Sequence, residues 1–173
     1  YGPVVSVPSN RELEEYQNLM VTCNVTANPT PVTIEWLKVG DPSFRQSGDI
    51  LRINSVTAAN QGDYVCRAVN ILAPTDGDRS DRVGNATIAV RIRHSPGKSF
   101  IKLSNNVAVA GESITLSCGA SPPGWPTPRY EWRRHDSETP LLIGPNYTIP
   151  QASFSNEGFY SCQPYNRLGR GTK

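Results

Sequence analysis

Apolar and polar residues alternate along short stretches of this chain. Leu19, Val21, Cys23 and Val25 share one parity, while Thr22, Asn24 and Thr26 share the other. A later stretch does the same, with Ile114, Leu116 and Cys118 in phase. A period of two places every other side chain on one face of a β-strand. The i, i+3, i+4 spacing of an amphipathic helix is not sustained anywhere. Turn punctuation is heavy, with 14 Gly and 15 Pro in 173 residues, which favours many short strands over long helices. The pattern predicts an all-β fold.

The alternating stretches belong to a larger internal repeat. Cys23 and Cys66 are 43 apart, and Cys118 and Cys162 are 44 apart. Trp36 and Trp132 each lie 30 residues before the second cysteine of their pair. Tyr64 and Tyr160 stand two before it, and Gly62 and Gly158 four before. Leu51, Ile53 and Val56 are matched by Tyr147, Ile149 and Ala152. One unit of roughly 85–95 residues, present twice, accounts for all of these matches.

GDYVCRAVN (62–70) and EGFYSCQPYN (157–166) resemble a strand signature of the immunoglobulin superfamily, and the resemblance covers the whole chain. It implies two tandem immunoglobulin-like β-sandwiches of I-set or C2 type. Each would have one inter-sheet disulfide, Cys23–Cys66 and Cys118–Cys162, with Trp36 or Trp132 filling the core beside it. Tyr64 and Tyr160 take the tyrosine-corner position, hydroxyl bonded to backbone at the preceding turn. Closing a loop of this length stabilises by roughly 4 kcal/mol in the chain-entropy model. Asn60 and Asn156 replace the family's usual Asp, so its ion pair with Arg is not expected. Only 15 residues separate Trp36 from Leu51, and Trp132 from Tyr147, leaving room for one edge strand rather than two. VGNATIAVRIRHSPG (83–97) and GASPPGWPTPRYEWRR (119–134) further resemble the echinoid group of adhesion receptors, akin to the nephrins.

Cysteines in this pattern could also stay reduced in a cytosolic protein, and no C-x-x-C supports zinc or thiol redox chemistry. Three sequons, at Asn24, Asn85 and Asn146, favour an extracellular glycoprotein, while Asn28-Pro-Thr is blocked by proline. The formal net charge of +2 is too small to argue for nucleic acid. No apolar run approaches the roughly 20 residues that span a bilayer, so a single-pass anchor is expected outside this segment. The chain opens on Tyr without a leader pattern and reads as a cut piece. Residues 1–94 form the first domain and 95–173 the second, whose last strand is expected to be truncated after Asn166.

Candidate sites follow from these placements. His94 and His135 suggest no shared pocket, and with the cysteines used in disulfides no catalytic set assembles. Neither enzyme activity nor a cofactor is expected. The run from Asp76 to Asp81 has calcium-like oxygens without EF-hand spacing, so a solvated hairpin tip over 71–82 is the stronger expectation. Arg91, Arg93, Lys98, Lys102, Arg133 and Arg134 would form a basic strip for heparan sulfate if they shared a face. Trp125, inside the proline-stiffened loop Ser121–Pro128, is expected with His94 and Pro96 at the interdomain joint. Glu35, Leu37, Val65, Arg67 and Val69 point outward in the first domain. Exposed aliphatics flanking Arg67 suit an interface core. The expected function is cell–cell adhesion and signalling, homophilic or through another cell-surface protein, beside neighbouring immunoglobulin domains. The competing expectation is a structural spacer, in a secreted matrix protein or in a receptor phosphatase or kinase ectodomain.

Overall fold

The computed structural model describes every residue except Val32 and Asp76. The chain divides into two compact units, Tyr1–Ile92 and Arg93–Lys173. Among the described residues the only helical turns are two of 3-10 type, Ala58–Asn60 and Phe154–Asn156.

The first unit contains β1 (Val4–Ser6), β2 (Asn10–Glu14), β3 (Leu19–Thr22), β4 (Asn24–Thr26), β5 (Thr33–Lys38), β6 (Asp41–Ser47), β7 (Ile50–Ile53), β8 (Gly62–Leu72) and β9 (Ser80–Arg93). One layer pairs β1 with β4 and β3 with β7; β3 and β4 are one strand interrupted at Cys23, whose N–H donates to the Asp49 carbonyl at 2.7 Å. The facing layer is a five-stranded sheet in the order β2-β9-β8-β5-β6. A single strand, β6, separates the tryptophan strand from β7, as the 15-residue spacing requires. The β8–β9 hairpin pairs as far as Leu72↔Ser80, so its tip is shorter than expected, 73–79. Asp76 lies outside the described residues, and the remaining acids of that run form no metal-holding cluster among those described.

The second unit contains β10 (Lys98–Leu103), β11 (Ile114–Ser121), β12 (Arg129–Arg134), β13 (Leu142–Ile143), β14 (Asn146–Ile149), β15 (Tyr160–Asn166) and β16 (Gly169–Arg170). A three-stranded layer, β10-β11-β14, faces a four-stranded one, β13-β12-β15-β16. The last strand has begun: β16 pairs with Tyr165 and Asn166, and the Gly171 N–H donates to the Pro164 carbonyl at 2.8 Å.

Both cores form where the alternation places them. Cys23–Cys66 and Cys118–Cys162 are bonded, each with its Cα atoms 6.3 Å apart, and each links the two layers of its unit. Trp36 and Trp132 are wholly buried beside them, their indole N–H groups donating to Asp49 and Gly144 carbonyls. Burying an aromatic ring of this size favours folding strongly, and the indole N–H must find a partner when buried. In the first unit the core runs unbroken from Leu13 to Ile92, and in the second it separates into two smaller clusters.

The turns before the second cysteines explain the repeated Gly and Tyr. Tyr64 and Tyr160 donate their hydroxyls to the carbonyls of Asn60 and Asn156, at 2.8 and 2.7 Å. Gly62 and Gly158 adopt φ of +145° and +150°, where a side chain is strained. A Cβ there would also press on Lys38 and Arg134 at 3.1 Å. Those cations cross the glycines to bond the turns, Lys38 to the Ala59 carbonyl and Arg134 to those of Ser155 and Glu157. Asn60 and Asn156 use their side-chain oxygens to accept the Thr57 and Ser153 N–H groups. The usual ion pair is thus replaced by bonds within the turn.

Candidate protein-binding face

The open face of the first unit's five-stranded sheet is assembled by register. Antiparallel pairing sets Glu35 opposite Ser47 and Arg67, and Arg67 opposite Asn85. The next row sets Leu37 opposite Arg45 and Val65, with Thr87 beyond Val65. Val69 lies between Thr33 and Val83. Directly opposed side chains on one face approach to about 4.5–5.5 Å at Cβ, so the five expected residues share one patch. Glu35 anchors it: Arg67 Nη1 donates to one carboxylate oxygen at 3.0 Å and Arg45 Nε reaches the other at 3.3 Å. Leu37, Val65 and Val69 are half-buried rather than freely exposed as the sequence suggested. They sit on central strands, where side chains of the flanking strands cover part of each.

The second unit carries a related arrangement on different strands. Glu131, like Glu35, precedes the core tryptophan and faces outward, and it is itself buried. Arg133 Nε donates to it at 2.6 Å, and Arg170 lies 3.6 Å from its other oxygen. The Arg133 hydrogen bond holds this carboxyl below the ordinary glutamate range although burial pushes the other way. Arg170 also stacks on Tyr165, 5.0 Å from the ring centroid.

An unexpected residue closes the top of each unit. Asn70 is fully buried and its carboxamide donates to the Tyr1 and Pro29 carbonyls, at 3.0 and 2.9 Å. Asn166 donates likewise to the His94 and Pro126 carbonyls, both at 2.9 Å. Tyr1 pairs through backbone with Asn28 and His94 with Trp125, the residues preceding those prolines. Each asparagine therefore ties the incoming chain to the loop after the first cysteine strand. Both stand four residues after the second cysteine, a coincidence visible in the sequence.

Of the expected joint residues, Trp125, His94 and Pro96 all lie in the second unit and are brought together there. His94 and Pro96 are buried, and Arg93 lies over the Trp125 ring at 5.3 Å. The His94 ring accepts or donates at Nδ1 with the Ser95 carbonyl at 2.9 Å. His135 follows the other end of β12, about 20 Å away at the rise of a six-residue strand. All three sequon asparagines are exposed. Asn24 is on β4, Asn146 opens β14, and Asn85 is on the candidate face. The basic strip does not form as expected. Lys98 and Lys102 lie on β10 and Arg133 and Arg134 on β12, which belong to opposite layers. Arg91 is paired with Asp63, and Arg133 and Arg134 are engaged with Glu131 and Asp136. Parity along a strand does not tell which layer the strand joins.

Immunoglobulin-domain models match residues 3–70 and 98–173. Contactin-2 of Mus musculus is 27% identical over 89% of this chain and 16% of its own length. The basement membrane proteoglycan of Caenorhabditis elegans is 30% identical over 86% of this chain and 4% of its own. The chain thus spans less than a fifth of the relatives it matches. The ectodomain structure of mouse nectin-like molecule 4 superposes with a TM-score of 0.63 at 22% identity, covering 98% of this chain and 61% of that one, which shows a shared fold. With both halves matched and a cystine bridging the layers of each, the chain is two immunoglobulin domains in series and belongs to the immunoglobulin superfamily.

Proposed function

We propose that this pair of domains is part of an extracellular recognition protein that works by protein–protein binding, with the open five-stranded face of the first domain as the docking surface. The observation that carries this reading is the row of Leu37 and Val65 beside the Arg67–Glu35–Arg45 ion cluster. Aliphatic side chains around a fixed arginine give an interface both apolar contact and a directional charge, and arginine is enriched at binding hot spots. The superfamily relatives are adhesion receptors and matrix proteins, which supports an extracellular setting. No helix among the described residues is long and apolar enough to cross a membrane. A cell-surface parent with a single-pass anchor, of the echinoid type, is the form of this reading that the sequence resemblance favours. The partner is a second copy or another cell-surface protein.

The spacer reading rests on one specific observation: Asn85, a sequon asparagine, stands in the same row as Arg67. Sedimentation equilibrium of the two-domain chain over a wide concentration range tests the docking surface. Concentration-dependent association abolished by Leu37→Glu or Val69→Glu supports homophilic binding through this face. A strict monomer both with and without its sugars removes homophilic docking and leaves binding to a different protein or the spacer role.

A further inference from the structure

Three sequon asparagines are exposed, and their positions are not equivalent. Asn24 is on the opposite layer of the first domain and Asn146 is in the second domain. Asn85 alone lies on the open five-stranded face, one strand from Arg67, while its partner in the sequon, Thr87, is opposite Val65. Neighbouring strands are about 4.8 Å apart, and a sheet packed face to face stands about 10 Å away. Any sugar chain rooted at Asn85 therefore begins inside the layer that a docked protein would fill.

We propose that Asn85 carries an N-linked glycan which folds over the Leu37–Val65–Arg67 surface and closes it. Attachment forms a bond from Asn85 Nδ2 to C1 of the reducing-end sugar of a lipid-linked oligosaccharyl diphosphate. The C1–O bond to the diphosphate breaks, the diphosphate leaves with the electron pair, and Nδ2 gives up one proton. Three features of the face suit a sugar. Leu37 and Val65 offer aliphatic surface to the C–H side of a pyranose ring. The Arg67 side chain, 40% exposed, keeps donors within reach of hydroxyl groups beyond its bond to Glu35. The Glu35 carboxylate, held between two arginines, is an acceptor fixed in place. The cover is local. Tyr16, on the turn after β2 and 73% exposed, is outside the row and stays open.

This inference stands whether or not the face docks a partner, and it sets the condition under which docking can occur. The test is expression in an animal-cell host, glycopeptide mass analysis at Asn85, and carbene footprinting of the folded chain. Wild type is compared with Asn85→Gln, with Thr87→Ala and with enzymatically deglycosylated wild type. The expected result is occupancy at Asn85 and at least threefold lower labelling of Leu37 and Val65 in the glycosylated form, with Tyr16 unchanged. An unmodified Asn85, or equal labelling of Leu37 and Val65 with and without the sugar, overturns the proposal. Sedimentation of the same samples separates it from the docking reading. Protected labelling with no self-association in any sample sustains the cover while removing homophilic docking.

Discussion

Replacing Tyr64 by Phe isolates the energetic role of one hydroxyl. The ring stays: it is wholly buried and packs edge-on against Phe44, centroids 5.2 Å apart, so little apolar contact changes. What is lost is the 2.8 Å bond to the Asn60 carbonyl. A neutral hydrogen bond contributes about 1 kcal/mol net, and leaving its acceptor without a partner can raise the cost to about 2 kcal/mol. For a unit the size of Tyr1–Ile92, each kcal/mol moves Tm by roughly 4–8 °C, so the first domain's transition should fall by about 4–15 °C at pH 7.

The sign reverses at high pH. Burial, followed by the nearby Asp41 charge, pushes the Tyr64 phenol up to about 12, against about 10 in an unfolded chain. The folded state thus prefers the neutral phenol. That preference contributes fully below pH 10 and is lost as pH rises towards 12. A gap of two pH units corresponds to roughly 2–3 kcal/mol. Wild type should lose this between pH 10 and 12, and Tyr64→Phe, with no proton to lose, should not. The variant, less stable at neutral pH, should meet or overtake wild type near pH 11–12. Scanning calorimetry of the whole chain from pH 7 to 11.5 follows the first domain's transition. A difference between wild type and Tyr64→Phe that stays constant over that range refutes the reasoning.

Substitutions at two further positions probe the second domain. Asn166→Ala removes two 2.9 Å bonds from the carboxamide and one accepted from the Leu168 N–H, costing about 2–3 kcal/mol; Asn166→Asp, which turns an anionic oxygen towards the His94 and Pro126 carbonyls, should melt lower still at pH 7 and recover towards Asn166→Ala at pH 4. Glu131 is held low by its Arg133 hydrogen bond, so its contribution is present above the unfolded glutamate value of about 4.3 and lost as pH falls through the lowered folded value; Glu131→Gln should flatten the decline of the second domain's Tm below pH 4.5, and an unchanged acid slope would count against the ion cluster.

The features legible in the sequence are those whose partner is also a side chain in the repeat. Cysteine needs cysteine, and the tryptophan and tyrosine stand at fixed depths relative to it, so spacing exposed one unit present twice and the family resemblance supplied the fold and the core around it. Bonds to backbone leave a weaker trace. Asn70, Asn166, Lys38 and Arg134 bind carbonyls supplied by turns far away along the chain, and carbonyls have no residue identity. Their signal was positional only: an Asn four after each second cysteine and a cation two after each tryptophan. Parity put Glu35, Leu37, Val65 and Arg67 on one face of their strands, yet it could not say that Asn85 stands across from Arg67, because that depends on register between β8 and β9. It failed for the basic strip for the same reason, since layer membership is a property of pairing.

The two outward glutamates show what this means for function. Glu35 and Glu131 hold equivalent positions before the core tryptophans, and each is gripped by two arginines. In the first domain those arginines come from β8 and the edge strand β6, in the second from β12 itself and from β16. The clamp is common, while the strands that build it differ, and so do the surfaces beside it. Next to Glu35 lies the aliphatic pair Leu37 and Val65; next to Glu131 lie Gln163, a single exposed aliphatic, Ile143, and the Arg170–Tyr165 stack. A repeated core therefore carries two chemically distinct outer faces. Both clamps adjoin an aliphatic side chain, and among the described residues the first adds a sequon asparagine in the row of its arginine.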